Sequence, residues 1–167
     1  MTTFTFTECD MLIRLCYAST RIEHQNDLLQ DFSDILTTAR QFNAAQHIYG
    51  VLYYAEGHFF QCLEGEQQQV EKLFERIQQD PRHRDVFRFP DQILEHILFS
   101  EWSMKYVHKH SQISSLFKKL GFDVFLPHRL DEKTVQQFLA LLLDLEQTIL
   151  PEKSQRGYKN RGYSNFF

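Results

Sequence analysis

The stretch His47 to Gly65, HIYGVLYYAEGHFFQCLEG, decides the fold. Two apolar runs, His47 to Ala55 and His58 to Leu63, flank Glu56-Gly57, where glycine supplies the positive backbone angle that a tight hairpin needs. The runs are expected to pair antiparallel. Within the second, Gln61 is a lone amide between Phe60 and Cys62. An unmade hydrogen bond on a buried amide costs on the order of 1–3 kcal/mol, so Gln61 asks for a partner. Candidates are Tyr17 in Arg14-Leu15-Cys16-Tyr17-Ala18-Ser19, and the pair Trp102 and Met104. A phenol, an amide and an indole converging on one pocket would form a hydrogen-bonded cluster with redox-active aromatics, which suits chemistry with light or electrons.

Outward from the hairpin, Leu12 to Ser19 reads as a strand buried on both faces. From Asn26 to Phe42, Leu28, Phe32, Ile35, Ala39 and Phe42 recur at helical steps, with Asn26 or Asp27 as cap. A second helix spans Glu66 to Gln79 on the stripe Val70, Leu73, Phe74, Ile77, and Asp80-Pro81 stops it. Phe87 to Phe99 reads as an irregular or bulged strand with Pro90 near an edge, and Trp102 to Val107 as a fifth strand. The order βαββαββ predicts an α+β, ferredoxin-like sheet with two helices on one face. Ser111 to Lys119 and Asp131 to Leu150 follow as C-terminal helices. The longer is apolar on more than one side, and burial against the sheet's open face is favoured over contact with a partner. The organisation expected is an extension over 1–10, a sensor domain over 11–107, a helical cap or output element over 108–150, and a disordered tail over 151–167.

Several segments taken together resemble the BLUF domain, a flavin-binding blue-light sensor. They are Arg14-x-x-Tyr17-x-Ser19, Asn43 followed by Ile48-Tyr49-Gly50, Phe59-Phe60-Gln61-x-Leu63-Glu64-Gly65, Asp80-Pro81-Arg82-His83 and Trp102-Ser103-Met104, in the family's order and spacing. The resemblance implies that the flavin ring of FAD slots between the two helices. It implies that Tyr17 donates an electron and proton to the excited flavin, and that Gln61 rearranges its amide toward the ring's C4 carbonyl. The result is a slight red shift without turnover, so the chain is expected not to be an enzyme. By the same resemblance Asn43 holds the polar ring edge, Ile35 and Ile77 lie above and below it, and Asp80, Arg82 and His83 stand near the ribityl and phosphate part. Trp102 and Met104 match the family's switch pair. Two departures stand out: Ile97 replaces an arginine common in the family, and Tyr49 replaces a small hydroxyl residue before Gly50. The first weakens phosphate recognition, so FMN and riboflavin remain candidates beside FAD.

Read from the residues alone, each of these positions has a plainer alternative. Tyr17 and Gln61 make a satisfied buried pair, Asn43 a helix cap, Ile35 and Ile77 ordinary core, Asp80 to His83 a solvated turn, and Trp102 and Met104 gap fillers. The rival reading of the whole is a non-photoactive ferredoxin-like module that binds a ligand or a protein. A flavin-dependent reductase is weaker, because no nicotinamide site is legible.

Composition sets the remaining bounds. The 167 residues, 43% hydrophobic with 16 Phe, can bury one good core, and a net charge of -4 argues against nucleic acid as the main partner. Cys9, Cys16 and Cys62 lack disulfide spacing, and no signal peptide or membrane-length apolar run is visible, so free thiols and a cytoplasmic location are expected. His108-x-His110 is the one close histidine pair, and nothing nearby completes a metal site. The partner expected is a light-dependent protein contact of unknown identity, with a homo-oligomer left open.

Overall fold

The computed structural model describes residues 11–22, 28–108 and 110–145. The elements are β1 (Leu12–Arg21), α1 (Leu28–Ala45), β2 (Tyr49–Ala55), β3 (His58–Glu66), α2 (Gln67–Gln79), β4 (His83–Arg88), β5 (Gln92–Ile93), β6 (Lys105–Val107), α3 (Ser111–Lys119), a 3-10 turn at Pro127–Arg129 and α4 (Glu132–Asp144). The strands form one mixed sheet in the order β4-β1-β3-β2-β6, with β5 also on β1.

The hairpin forms as expected. Glu56 and Gly57 both take positive φ, 53° and 83°, the pattern of a two-residue turn whose twist matches the strands. Gly50 has a different reason to be glycine: a Cβ there would stand 2.0 Å from the Cys62 carbonyl oxygen on β3. Only a bare backbone can make that approach.

Period two along β1 and β3 divides the sheet into two faces. Ile13, Leu15, Tyr17, Phe59 and Leu63 pack with the stripes of α1 and α2 on one of them. Cys16, Ala18, Phe60 and Cys62 pack on the other with Phe117 of α3 and Val135, Phe138, Leu139 and Leu142 of α4. The apolar excess of α4 is thus buried on the sheet's second face, where Phe138 meets the rings of Tyr53, Phe60, Phe117 and Phe125 at centroid distances of 4.9–5.8 Å. Asp131 caps α4 through a reciprocal capping box with Thr134. Cys16 and Cys62 are free and stand opposite each other across β1 and β3.

Four boundaries differ from the sequence reading. β4 begins at His83 instead of Phe87, because this polar edge strand is held by backbone pairing to β1 and carries little hydrophobic pattern. After Pro90 only Gln92–Ile93 forms a strand, the Leu94 N–H makes one last bond to the Leu12 carbonyl, and residues 95–99 leave the sheet. β6 begins at Lys105, so Trp102 lies in the turn that precedes it. Finally, α4 ends at Asp144, with Leu145 extended, while the expected continuation over 146–150 lies outside the described residues. The proposed caps Asn26 and Asp27, Cys9 and the tail over 151–167 also lie outside them.

Candidate functional site

β1 and β3 are antiparallel neighbours in a register that sets Tyr17 opposite Gln61. Both side chains enter the face covered by α1 and α2, and the Tyr17 hydroxyl donates to Gln61 Oε1 at 2.5 Å. The other end of the amide, Nε2, donates to Met104 Sδ at 3.4 Å. Thioether sulfur is a weak acceptor, so the amide holds one strong bond and one poor one. Tyr17 is buried, and burial, reinforced by the Asp80 carboxylate, pushes its phenol well above the usual range. The hydroxyl keeps its proton.

The pair forms the floor of a slot between the helices, with about 500 Å³ of empty space counted out to solvent. Ile35, Thr38, Ala39, Phe42 and Asn43 line it from α1, Leu73 and Ile77 from α2, and Leu52, Phe59 and His83 from the sheet. The lining suits a flat, largely apolar ligand with a few polar contacts. Asn43 supplies one such contact. It is wholly buried; its Nδ2 donates to the Ser103 carbonyl at 2.8 Å, and its Oδ1 has no hydrogen-bond partner among the described residues. An orphaned buried acceptor costs about 1–3 kcal/mol, which a donor on a bound ligand would recover. Asn43 does serve the end of α1 as well, since its backbone carbonyl accepts from Ile48 and Gln46.

The predicted polar segment is arranged differently from a free phosphate clamp. Arg82 donates from Nε and Nη2 to both oxygens of Asp80, at 2.5–3.1 Å. Burial works to raise the Asp80 carboxyl, but the Arg82 bonds outweigh it and hold the group below its ordinary value. His83 reaches back to the Ser19 hydroxyl at 2.9 Å, and burial lowers its pKa to about 4. The unfolded chain therefore binds the His83 proton near pH 6.5 and the folded protein only near 4. The stability contributed by neutral His83 is complete above that window and is lost as pH falls through it, by about 1–3 kcal/mol. In urea titrations at pH 7.5 and 4.5, His83→Gln is expected to lose less stability on acidification than the parent. Equal losses would show that His83 titrates normally.

Trp102 does not join the phenol and the amide. Its indole is half-buried on the opposite face of the sheet, packed with the α3 and α4 core at 6.4 Å from the Phe99 ring, while Met104 occupies the place beside Gln61. The cluster is thus phenol, amide and thioether. Phe42, Leu52 and Leu73 are slot residues that sequence reading left in the general core. For Phe42 and Leu73 the helical stripes already pointed inward, and the pairing of Leu52 with Gln61 could have placed the third.

Among the described residues no helix is long and apolar enough to cross a membrane, and no group of three His, Cys, Asp or Glu is placed to hold a metal ion.

The family model described as BLUF, sensors of blue-light using FAD, matches residues 12–105. The chain is 43% identical over 75 residues to photoactivated adenylate cyclase subunit beta of Euglena gracilis, a match covering 44% of this chain and 9% of that protein. It is 32% identical over 76 residues to the blue light- and temperature-regulated antirepressor BluF of Escherichia coli K12, covering 46% of the chain and 18% of that protein. The matched segments thus span less than a fifth of these relatives' lengths. Among solved structures, BlsA in its ground state has a TM-score of 0.81 and 48% identity, covering 84% of this chain and 93% of that one. BlrB, a BLUF protein in its dark state, has a TM-score of 0.69 and 26% identity, covering 81% of this chain and 97% of that one.

Proposed function

The chain belongs to the BLUF family of blue-light sensors that use FAD, and on that premise we propose that it signals through a Tyr17–Gln61 hydrogen-bond switch to a protein partner, without turnover. The observation that carries this reading is the buried amide with its carbonyl on a phenol and its nitrogen on a thioether. Bound in the slot, oxidised FAD supplies the blue-light absorption and an excited state able to accept an electron. Ile35 and Ile77 bracket the space for the flat ring from the two helices, and the orphaned Oδ1 of Asn43 accepts from a ring-edge donor. Asp80, Arg82 and His83 shape the polar end, with Arg82 held on Asp80 until a competing anion is present.

Tyr17 and Gln61 do the switching. The phenol O–H donates to Gln61 Oε1, and the burial around it keeps the proton from leaving to solvent. Reversal of the amide would present Nε2 to the Tyr17 oxygen and turn Oε1 toward Met104, whose thioether has no proton to give, leaving Oε1 free to accept from another donor. A switch needs two such arrangements that differ in what the side chain offers its surroundings. Met104 and the strand that follows it register which of them is present. α3 and α4, on the opposite face, then serve as cap and output surface.

The test is a visible spectrum of the purified protein in darkness and under blue light. The expected result is a flavin band that shifts slightly to the red and returns in the dark without added reductant. A protein that binds no chromophore would point to the non-photoactive module, and a flavin reduced by NADH to a reductase. FMN and riboflavin offer the slot the same ring, so the mass of the released flavin identifies the one retained.

Asn43→Ala is expected to weaken flavin binding about two- to twelvefold, the net worth of a neutral hydrogen bond of about 0.5–1.5 kcal/mol. Titration of the apoprotein with FAD reads this directly, and unchanged affinity would leave Asn43 as a helix cap alone.

A further inference from the structure

The strand that Met104 leads into has a second face. β6 is three residues long and pairs parallel with β2, so alternate side chains go to opposite sides of the sheet. Met104 and Tyr106 lie in the core under α1 and α2, and Val107 lies in the core under α3 and α4. Lys105 follows Val107 to that second face, although it is a lysine with only 1% of its surface exposed. Lysine is almost never so buried unless its ammonium is held.

The ammonium is held by the output side. Lys105 Nζ donates to the Leu143 carbonyl at 2.8 Å and sits 4.1 Å from the centroid of the Trp102 ring. Leu143 belongs to the last turn of α4, where carbonyls lack intrahelical partners and the helix dipole presents its negative end. A cation over an indole face and against a helix C-terminus is attracted by both. Burial draws the Lys105 pKa down, while the nearby Asp144 and Glu101 carboxylates favour its charged form.

We propose that Lys105 is the positioning residue that couples the slot to the C-terminal end of α4, its ammonium tying that helix and the Trp102 ring to the strand that begins directly after Met104. This rests on the switch described above. Met104 Sδ accepts from Gln61 on one face, and its immediate neighbour fastens the end of α4 on the other. A displacement at Met104 on the slot side is therefore passed to the 2.8 Å contact on the α4 side. No other described lysine joins the sheet to a helix end in this way.

The experiment compares hydrogen exchange in darkness and under blue light for the parent, Lys105→Met and Lys105→Arg, each with flavin bound and its red shift recorded on the same sample. Methionine keeps the length and apolar stem without the charge, and arginine keeps a cation and donors. The expected result is a light-dependent change of protection over Glu132–Asp144 in the parent, its loss in Lys105→Met, and its recovery in Lys105→Arg, with the red shift unchanged in all three. An equal light response of α4 in Lys105→Met would overturn the proposal, and so would a parent that shifts its spectrum while α4 stays unchanged. A parent with no red shift would instead sink the underlying photosensor reading. If Lys105→Met fails to retain flavin, Lys105→Gln, which keeps a neutral donor, is put through the same comparison. A full α4 response there would overturn the role of the charge.

Discussion

Gln61→Leu is expected to retain flavin and to lose the light-induced red shift entirely. Leucine fills much of the amide's volume on the slot floor but offers no carbonyl to Tyr17 and no N–H to Met104, so there are no two states to exchange. The substitution also leaves the buried Tyr17 hydroxyl without its acceptor, and a loss of about 1–3 kcal/mol in unfolding free energy should accompany it. A difference spectrum before and after blue light checks the first point and a urea titration the second. A normal red shift in the variant would remove Gln61 from the mechanism.

Tyr17→Phe should have the second large effect. The ring contacts with Phe74 at 5.4 Å and His83 at 6.3 Å are made by carbon atoms and survive, whereas the single O–H that reaches Gln61 is gone. Fold and flavin content are expected to match the parent, and the red-shifted state should fall below detection under the same illumination. If the variant cycles like the parent, the electron source must be sought elsewhere. Trp102 is then the residue to replace, even though the sheet stands between its indole and the slot.

Much of this arrangement is legible in the residues themselves. Period two along Ile13, Leu15, Tyr17 and along Phe59, Gln61, Leu63 puts the phenol and the amide on one face, and the Glu56-Gly57 turn fixes the hairpin that brings β3 beside β1. The surplus of leucine in α4 correctly foretold a second covered face. What stayed hidden depends on long-range pairing. His83, Arg84 and Asp85 look like a turn, yet β1 offers their backbone a ladder and they become an edge strand. Trp102 and Met104, two apart, would share a face in a continuous strand. The chain instead turns between Phe99 and Trp102, the Trp102 carbonyl accepts from Gly50, and the strand proper begins only at Lys105. The indole is thereby sent to the far side. Lys105 gave no signal at all, because a single lysine beside apolar residues carries no pattern until the helix end that receives it is in place.

The central claim is that the Gln61 side chain changes what its two ends face, and side-chain amide NMR reads that directly. With 15N in the glutamine side chains, the Gln61 Nε2 resonances can be identified by their absence in Gln61→Leu and followed in the parent under blue light. In darkness they should report protons against the Met104 sulfur, and on illumination they should move to a new position in step with the red shift and return with it. Gln61 resonances that stay in place while the flavin band shifts would contradict the account.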